Sequence, residues 1–130
     1  MQNILLIAAG GAIGASLRFF SGVLLQKLTN KSEVLTGTVF ANLAGCLFAG
    51  FILGLISDTA AETTPWYLFF SVGLVGSLST FSTFILELLN LINKKSFLRL
   101  AAYLFLQIIV ALAATLSGLA AHKLLFGGFA

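Results

Sequence analysis

Charged residues are scarce in this chain, which has seven Lys or Arg and four Asp or Glu among its 130 residues. Only 8% of the residues are charged, against about 25% in a typical soluble domain. Hydrophobic residues make up 59% and the mean hydropathy is +1.09. This composition excludes a water-soluble globular domain and predicts an integral membrane protein. At about 20 residues per span, the chain accommodates at most four or five transmembrane helices.

Cysteine, proline and histidine each occur once. The lone Cys46 excludes an intrachain disulfide and a cysteine cluster, and we expect it to be a small packing residue. Pro65 follows Thr64, a pair that predicts a helix N-cap and a proline at the first helical position. His122 lies beside Lys123 near the end of an apolar block, so we expect it to contact lipid headgroups rather than to bind a ligand. The sequence has no basic array suited to nucleic acid.

Apolar residues fall into four blocks separated by short polar connections. The predicted helices cover about residues 4–25, 34–56, 66–92 and 97–126. Connections this short make successive helices antiparallel, so the sequence predicts an all-α membrane protein, a single four-helix transmembrane domain over residues 1–130. The first three residues lack the cationic flank of a secretory signal, so we expect the first helix to be retained.

One segment of the third block, residues 76–84, is unusually polar for a membrane-buried stretch. It contains five Ser or Thr residues and two phenylalanines after Gly76. A helix can bond a few hydroxyls back to its own carbonyls, but a hydroxyl and aromatic run that begins at glycine indicates a broken helix lining a polar path. If the helix resumes after the break, Ser79, Thr83 and Glu87 share one stripe at i, i+4 and i+8.

The two phenylalanines of this segment, Phe81 and Phe84, are three residues apart and lie near each other on an adjoining face. The edge of an aromatic ring carries the positive part of its quadrupole, so two rings turned edge-on can contact an anion without a formal charge. Core packing is the more common explanation for phenylalanine at helical spacing, and the chain has 13 of them. The spacing alone does not choose between the two interpretations.

Two further polar residues lie inside apolar blocks. Arg18, in the first block, must pair, snorkel or face water, and it fits either a snorkelling side chain or an anion-attracting charge at a vestibule. Asn42, in the middle of the second block, can donate two hydrogen bonds to an anion or cross-link helices, and we favour the pore-lining role.

Small residues are spaced for close helix packing. Gly10 and Gly14 have the GxxxG spacing. In the second block a small-residue stripe is formed by Ala41, Gly45 and Ala49, and Gly50 with Gly54 forms another face. Two tightly packed faces per helix exceed what one four-helix bundle needs, so they indicate an oligomer. A bundle of this size also has a core filled by its own side chains, which favours a conduit at a subunit interface.

Three stretches together resemble the fluoride channel family known as Fluc or CrcB. They are residues 11–19 (GAIGASLRF), 37–45 (GTVFANLAG) and 73–84 (GLVGSLSTFSTF). Their order, their spacing and the chain length match the family, so the resemblance covers essentially the whole chain. It implies four-helix subunits with a broken third helix, assembled as an antiparallel dimer with two fluoride pores.

The resemblance also implies roles for individual residues. The fluoride pore would be lined by Asn42, Phe81, Ser82, Thr83, Phe84, Glu87 and Tyr103. Arg18 would sit at the vestibule, and the backbone carbonyls of Gly76 and Ser79 would hold a structural Na⁺ at the dimer centre. Gln107 occupies a variable polar position and is a possible pore-lining residue.

Basic residues are distributed unevenly between the two sides of the predicted bundle. The first and third connections and their flanks carry five of them, Lys27, Lys31, Lys94, Lys95 and Arg99, whereas the other side has Lys123 with Asp58 and Glu62. The positive-inside rule then places those connections in the cytoplasm and both termini outside. Because an antiparallel homodimer needs both orientations, this bias favours dimerisation with an oppositely oriented paralogue over dimerisation with a second copy.

The resemblance implies a passive channel, not an enzyme, that exports fluoride across the lipid of the cell membrane. The main alternative is a proton-coupled exporter of the small multidrug-resistance type, also a four-helix antiparallel dimer. That mechanism needs a membrane-embedded carboxylate in the first helix, where this chain has none. A noncatalytic assembly subunit is a second alternative, which leaves the hydroxyl run unexplained.

Overall fold

The computed structural model describes residues 1–29, 32–59 and 64–126, and within them it is entirely helical, without strands. Four spans in these ranges are long and apolar enough to cross the hydrocarbon core of a bilayer. They are the first helix Gln2–Leu28, the part Gly37–Ser57 of the second helix Gly37–Thr59, the third span Pro65–Asn93 and the fourth span Phe97–Phe126. The predicted class, an all-α multi-pass membrane protein, is confirmed.

Capping residues set where the second helix and the third span begin. The second helix begins at Gly37 rather than at Val34, because the Thr36 hydroxyl accepts the N–H of Val39 at 3.2 Å and caps it. The third span begins at Pro65, and Thr64 before it has the extended backbone of an N-cap residue. The apolar pattern missed the first of these boundaries because Val34 is apolar but precedes the cap.

The third and fourth spans are not uniform α-helices. The third consists of a turn at Pro65–Tyr67, a π-helical stretch at Leu68–Val75 and a turn at Gly76–Leu78, followed after two extended residues by an α-helix at Phe81–Asn93. The fourth contains a π-helical stretch at Leu106–Val110. Such π-helical stretches often accompany functional sites, and the third and fourth spans each contain one within the described residues.

The first helix packs against residues 65–78 of the third span through glycine. Gly10 lies so close to the Phe69 carbonyl oxygen that a methyl group on it would overlap that atom. Gly14 faces the Leu74 carbonyl in the same way, and a Cβ on Gly73 would lie 2.7 Å from the Ile7 carbonyl oxygen. This seam therefore depends on backbone-to-backbone contact.

A second seam joins the second helix to the C-terminal part of the fourth span. Gly50 faces the Thr115 carbonyl, and Gly54 lies against the ring of His122, whose Nδ1 would be 2.5 Å from a Cβ at that position. His122 is only 1% exposed, and its ring lies 5.6 Å from that of Phe51 and 5.4 Å from that of Phe126. The expected headgroup contact is wrong, because the missing side chain of Gly54 leaves room for the imidazole inside the bundle.

Both glycine faces are thus occupied within one subunit. The Gly10 and Gly14 face packs on the third span, and the Gly50 and Gly54 face packs on the fourth. Glycine spacing therefore gives no argument for an oligomer here, since intrachain packing accounts for it.

The first and third connections lie at the same end of the bundle. The Glu33 carboxylate forms ion pairs with Lys94 and with Arg99. These ion pairs join the first connection to the third, as expected if successive helices run in opposite directions. The basic residues of both connections therefore lie at one end of the bundle. Lys31 and Glu62 lie outside the described residues.

Candidate functional site

The polar segment of the third span contains an interruption in the helix at Ser79 and Thr80. Both residues have extended backbone, with φ −78° and ψ 152° at Ser79 and φ −147° and ψ 128° at Thr80. Sequence reasoning placed the start of the break at Gly76, but Gly76 is helical at φ −62° and ψ −29°. Gly76 therefore has ordinary helical dihedral angles, and the chain leaves the helix three residues later, at Ser79.

Asn42 of the second helix satisfies the backbone groups that the interruption exposes. Its Oδ1 accepts the Thr80 N–H at 2.8 Å, and its Nδ2 donates to the Thr80 carbonyl at 3.3 Å. In an unbroken helix the Thr80 N–H would donate to the carbonyl of Gly76. A single amide thus replaces the helical hydrogen bond, which lets non-helical backbone exist at membrane depth.

Two backbone carbonyls at the interruption are outside the helical ladder. The Gly76 carbonyl loses its partner because Thr80 donates to Asn42. The Ser79 carbonyl precedes the N-cap residue Thr80, so the following helix provides no donor for it. Gly76 and Ser79 are both exposed in the single subunit. Hard oxygen donors of this kind suit a hard monovalent or divalent cation.

The hydroxyl groups after the break form a cluster. The Thr80 hydroxyl lies 3.2 Å from that of Ser82 and 3.4 Å from that of Thr83. Because the helix resumes only at Phe81, Ser79 does not share the helical stripe predicted for it with Thr83 and Glu87. Thr80, which sequence reasoning did not select, takes its place next to Thr83.

Three aromatic rings lie beside this cluster. The Phe81 and Phe84 centroids are 5.6 Å apart with an interplanar angle of 42°, and Phe84 stacks on Tyr103 at 5.7 Å and 10°. Tyr103 is completely buried, whereas Phe81 is 75% exposed in the single subunit. One ring of the predicted pair is therefore fixed by stacking, and the other stands on the outer surface.

Glu87 is the centre of a second group of hydroxyls. Its Oε1 accepts from the Thr38 hydroxyl at 2.7 Å, and its Oε2 accepts from Thr36 at 2.8 Å and from Tyr103 at 2.7 Å. Three hydroxyl donors match the acceptor-only character of a carboxylate. Thr36 and Thr38 were missed in the sequence, although their position at the start of the second helix is a usual place for threonine.

Gln107, in the π-helical stretch of the fourth span, connects the two groups. Its Oε1 accepts from Asn42 Nδ2 at 3.1 Å, and its Nε2 donates to the Tyr103 hydroxyl at 3.3 Å. A continuous chain of hydrogen bonds therefore runs from Thr80 through Asn42, Gln107 and Tyr103 to Glu87.

Two cavities lie along this chain. The larger, about 670 Å³, is lined by polar groups that include Arg18, Thr36, Thr38, Thr83 and Glu87. The smaller, about 410 Å³, is lined by Asn42, Cys46, Ser79, Thr80, Phe81, Phe84 and Gln107, with two apolar residues of the fourth span. The contact between Thr80 and Thr83 joins the two linings. Most of the sequence-selected residues thus line one of two adjoining cavities, with Cys46 in the smaller one, whereas Gly76, Ser82 and Tyr103 line neither.

Arg18 lies in the wall of the larger cavity and is partly buried. Within the described residues its guanidinium forms no ion pair, since the recorded ion pairs involve Glu33 with Lys94 and with Arg99. The Glu87 carboxylate lines the same cavity, which therefore contains one cationic and one acidic side chain.

Four apolar spans around a hydrogen-bonded polar path define a small multi-pass membrane protein of the kind that moves ions or small solutes. The family described as "CrcB-like protein, Camphor Resistance (CrcB)" matches residues 5–119. The chain belongs to this family.

Curated relatives match over most of the chain. It is 37% identical over 124 residues, covering 95% of each chain, to a Haemophilus influenzae (strain PittGG) protein named "Fluoride-specific ion channel FluC". Proteins with the same name match from Oceanobacillus iheyensis, at 33% over 105 residues with 81% of this chain and 79% of the relative covered, and from Agrobacterium fabrum, at 32% over 126 residues with 97% and 100% covered.

Proposed function

We propose that this protein is a fluoride-selective channel that lets fluoride leave the cytoplasm passively across the cell membrane. The observation that carries the proposal is the path of polar groups between the two cavities, from Thr36, Thr38 and Glu87 to Asn42 and Thr80 beside the phenylalanines. Relatives that match nearly the whole chain are named fluoride-specific channels.

Fluoride is small and strongly hydrated, so a selective path must replace its water by graded donors without trapping it. Hydroxyls of Ser82 and Thr83 and the edges of Phe81 and Phe84 provide such donors. The Asn42 amide beside them would donate when an anion replaces one of its partners, the Gln107 Oε1 or the Thr80 carbonyl. All are uncharged, which allows binding strong enough for entry and weak enough for release.

Arg18 acts in this proposal before selection takes place. Its charge raises the anion concentration in the larger cavity, and the neutral groups beyond it discriminate between anions. Glu87 keeps the Thr36, Thr38 and Tyr103 hydroxyls in place and contributes to the polar track.

The pore is completed by a second subunit in antiparallel orientation. Phe81, at 75% exposure, and the exposed Gly76 and Ser79 stand on the outer surface of the single subunit, where a partner would cover them. The partner is a second copy or an oppositely oriented paralogue, and the five basic residues on one side favour the paralogue. Tags on the termini of the protein in native membranes test this: accessibility from one face only supports a fixed orientation, and equal labelling from both faces contradicts it.

A structural Na⁺ belongs to the same proposal. The carbonyl oxygens of Gly76 and Ser79 leave the helical ladder at the interruption, and two subunits would present four such oxygens near the dimer centre. When bound, the ion would neutralise the carbonyl dipoles there and hold the two interruptions together.

The proton-coupled exporter has no support in the site. The first helix contains no acidic residue, and the carboxylate inside the spans, Glu87, is held by three hydroxyl donors. Transport without chemical conversion is the proposed activity.

Efflux from proteoliposomes tests the function directly. Vesicles loaded with fluoride, with chloride or with a quaternary ammonium cation are diluted, and release is followed by ion-selective electrodes. We expect fluoride to leave rapidly and the other two ions to remain. Release of fluoride no faster than from protein-free vesicles would refute the proposal. Proton-driven release of the quaternary ammonium cation would favour the exporter.

A further inference from the structure

Gln107 lies in the fourth span, and its side-chain hydrogen bonds have no part in the fluoride contacts proposed above. Its side chain bridges two residues on different spans, accepting from Asn42 and donating to Tyr103. An amide placed between an amide and a phenol can in principle adopt two orientations, related by a flip of its terminal group. The orientation of Gln107 therefore decides which group faces Asn42.

The groups at both ends of the hydrogen-bonded chain require the same orientation of the Gln107 amide. At one end, the Glu87 carboxylate only accepts, so the Tyr103 hydroxyl donates its hydrogen to it and accepts from Gln107 Nε2. The oxygen of Gln107 is then left to face Asn42 Nδ2. At the other end, the Thr80 N–H only donates, so it requires Asn42 Oδ1 and leaves Nδ2 for Gln107.

The consequence for the pore concerns the donor edge of Asn42. Both acceptors of its Nδ2, the Gln107 Oε1 and the Thr80 carbonyl, belong to residues that line the smaller cavity. Both hydrogens of this nitrogen are therefore used within the protein, and they fix the amide against the backbone at the interruption. A flipped amide would oppose the Thr80 N–H with a donor and the Thr80 carbonyl with an acceptor.

We propose that Gln107 is a positioning residue, which passes the acceptor character of Glu87 through Tyr103 to Asn42 and so fixes the amide orientation in which Asn42 bonds to both backbone groups of Thr80 beside the pore. The inference rests on the proposed fluoride conduction. It assigns Gln107 no contact with fluoride, since its role is exerted through Asn42.

The experiment compares two variants of Gln107 in proteoliposomes. Gln107→Met keeps the side-chain volume and removes both hydrogen-bonding groups. Gln107→Glu keeps the shape, but its carboxylate has no hydrogen for Tyr103; once protonated, it regains one donor and one acceptor, as the chain requires. The titratable groups that face this position are Glu87 and Tyr103, and Cys46 lines the same cavity.

We expect Gln107→Met to lower fluoride efflux on the order of tenfold at every pH, the factor that corresponds to one lost hydrogen bond. Gln107→Glu should be slow at about pH 8 and recover toward the wild-type rate by about pH 5.5, the range in which a buried carboxyl titrates. Protein-free vesicles at each pH provide the leak to be subtracted. Ser117→Ala, an exposed polar residue of the same span whose hydroxyl bonds to the Ala113 carbonyl, is the control and should match the wild type.

Wild-type rates in Gln107→Met, or a pH profile of Gln107→Glu that runs parallel to that of Gln107→Met, would overturn the positioning role. If Gln107→Met fails to fold, the recovery of Gln107→Glu on acidification decides alone. Absence of fluoride efflux from the wild-type protein would instead refute the proposed function, so the two failures are distinguishable.

Discussion

The two halves of the third span share one sequence block and differ in almost every structural respect. Residues 65–78 pack on the first helix through the buried Gly73, with backbone against backbone. The helix Phe81–Asn93 carries hydroxyls and exposed rings and packs mainly on Phe97–Phe105. The first half therefore provides a fixed support, and the second half presents the polar groups.

The two halves meet at the interruption at Ser79 and Thr80, and the hydrogen bonds made there explain why the site is stable. Where the helix stops, Asn42 supplies the hydrogen bonds that the backbone loses, so the interruption is held by the second helix as well as by the first. A polar path in a membrane thus needs two things, close packing that fixes the backbone and a side chain that completes its hydrogen bonding.

The largest expected effect follows from removing the rings of the second half. Phe81→Ile or Phe84→Ile should reduce fluoride efflux to the rate of protein-free vesicles, because an aliphatic side chain has no positive ring edge. Efflux is measured together with size-exclusion chromatography, which monitors folding and assembly. Unchanged efflux in a folded variant would contradict the aromatic contribution.

The next effect concerns the boundary itself. Asn42→Leu leaves the Thr80 N–H and carbonyl without their side-chain partner, so we expect unfolding in detergent to become easier by about 3 kcal/mol, with loss of fluoride efflux. Asn90→Leu, at an exposed position of the third span, is the matched control and should change stability little. Equal stability of the two variants would show that Asn42 does not sustain the interruption.

A smaller effect tests the packed half. Gly10→Ala places a methyl group against the Phe69 carbonyl and should destabilise the protein by about 2 kcal/mol through overpacking. Gly11→Ala, one residue further, has no atom within 4 Å of its new methyl group and should be neutral or slightly stabilising. The measurement is thermal unfolding of both variants in detergent. A loss of stability in Gly10→Ala but not in Gly11→Ala would show that the close contact at Gly10, and not substitution in the first helix as such, is responsible.

The smallest effect is expected outside both halves, at the ion pairs of the connections. Hydrogen bonds from Lys94 and then Arg99 hold the pKa of Glu33 below its ordinary value of 4.5. A carboxyl with a lowered pKa in the folded state stabilises the protein above its unfolded pKa, and this contribution disappears as the pH falls through the folded pKa. Glu33→Gln should remove that acid-range dependence with little change at pH 7, because exposed ion pairs contribute little.

The control for this variant is Lys95→Gln in the same connection, which should keep the acid-range dependence of the wild type. Unfolding curves between neutral and acidic pH provide the measurement. If Glu33→Gln and the wild type lose stability in parallel on acidification, the ion pairs do not contribute.

The sequence by itself determined the membrane class and the four spans, because hydrophobic composition and block length depend only on residue type and bilayer thickness. It also indicated Asn42 and Glu87, since polar groups in an apolar block need a physical reason, whereas the phenylalanine pair was selected only by the family resemblance. The roles assigned to Gly76 and Ser79 as Na⁺ ligands stay predictions.

Only the tertiary structure decided how these residues are connected. The interruption at Ser79 and Thr80 depends on an amide from another helix, and the link through Gln107 and Tyr103 depends on the π-helical stretch of the fourth span. His122 is buried because Gly54 leaves space for it. Each of these outcomes arises from contacts between residues distant along the chain, which the local pattern of apolar and polar residues does not encode.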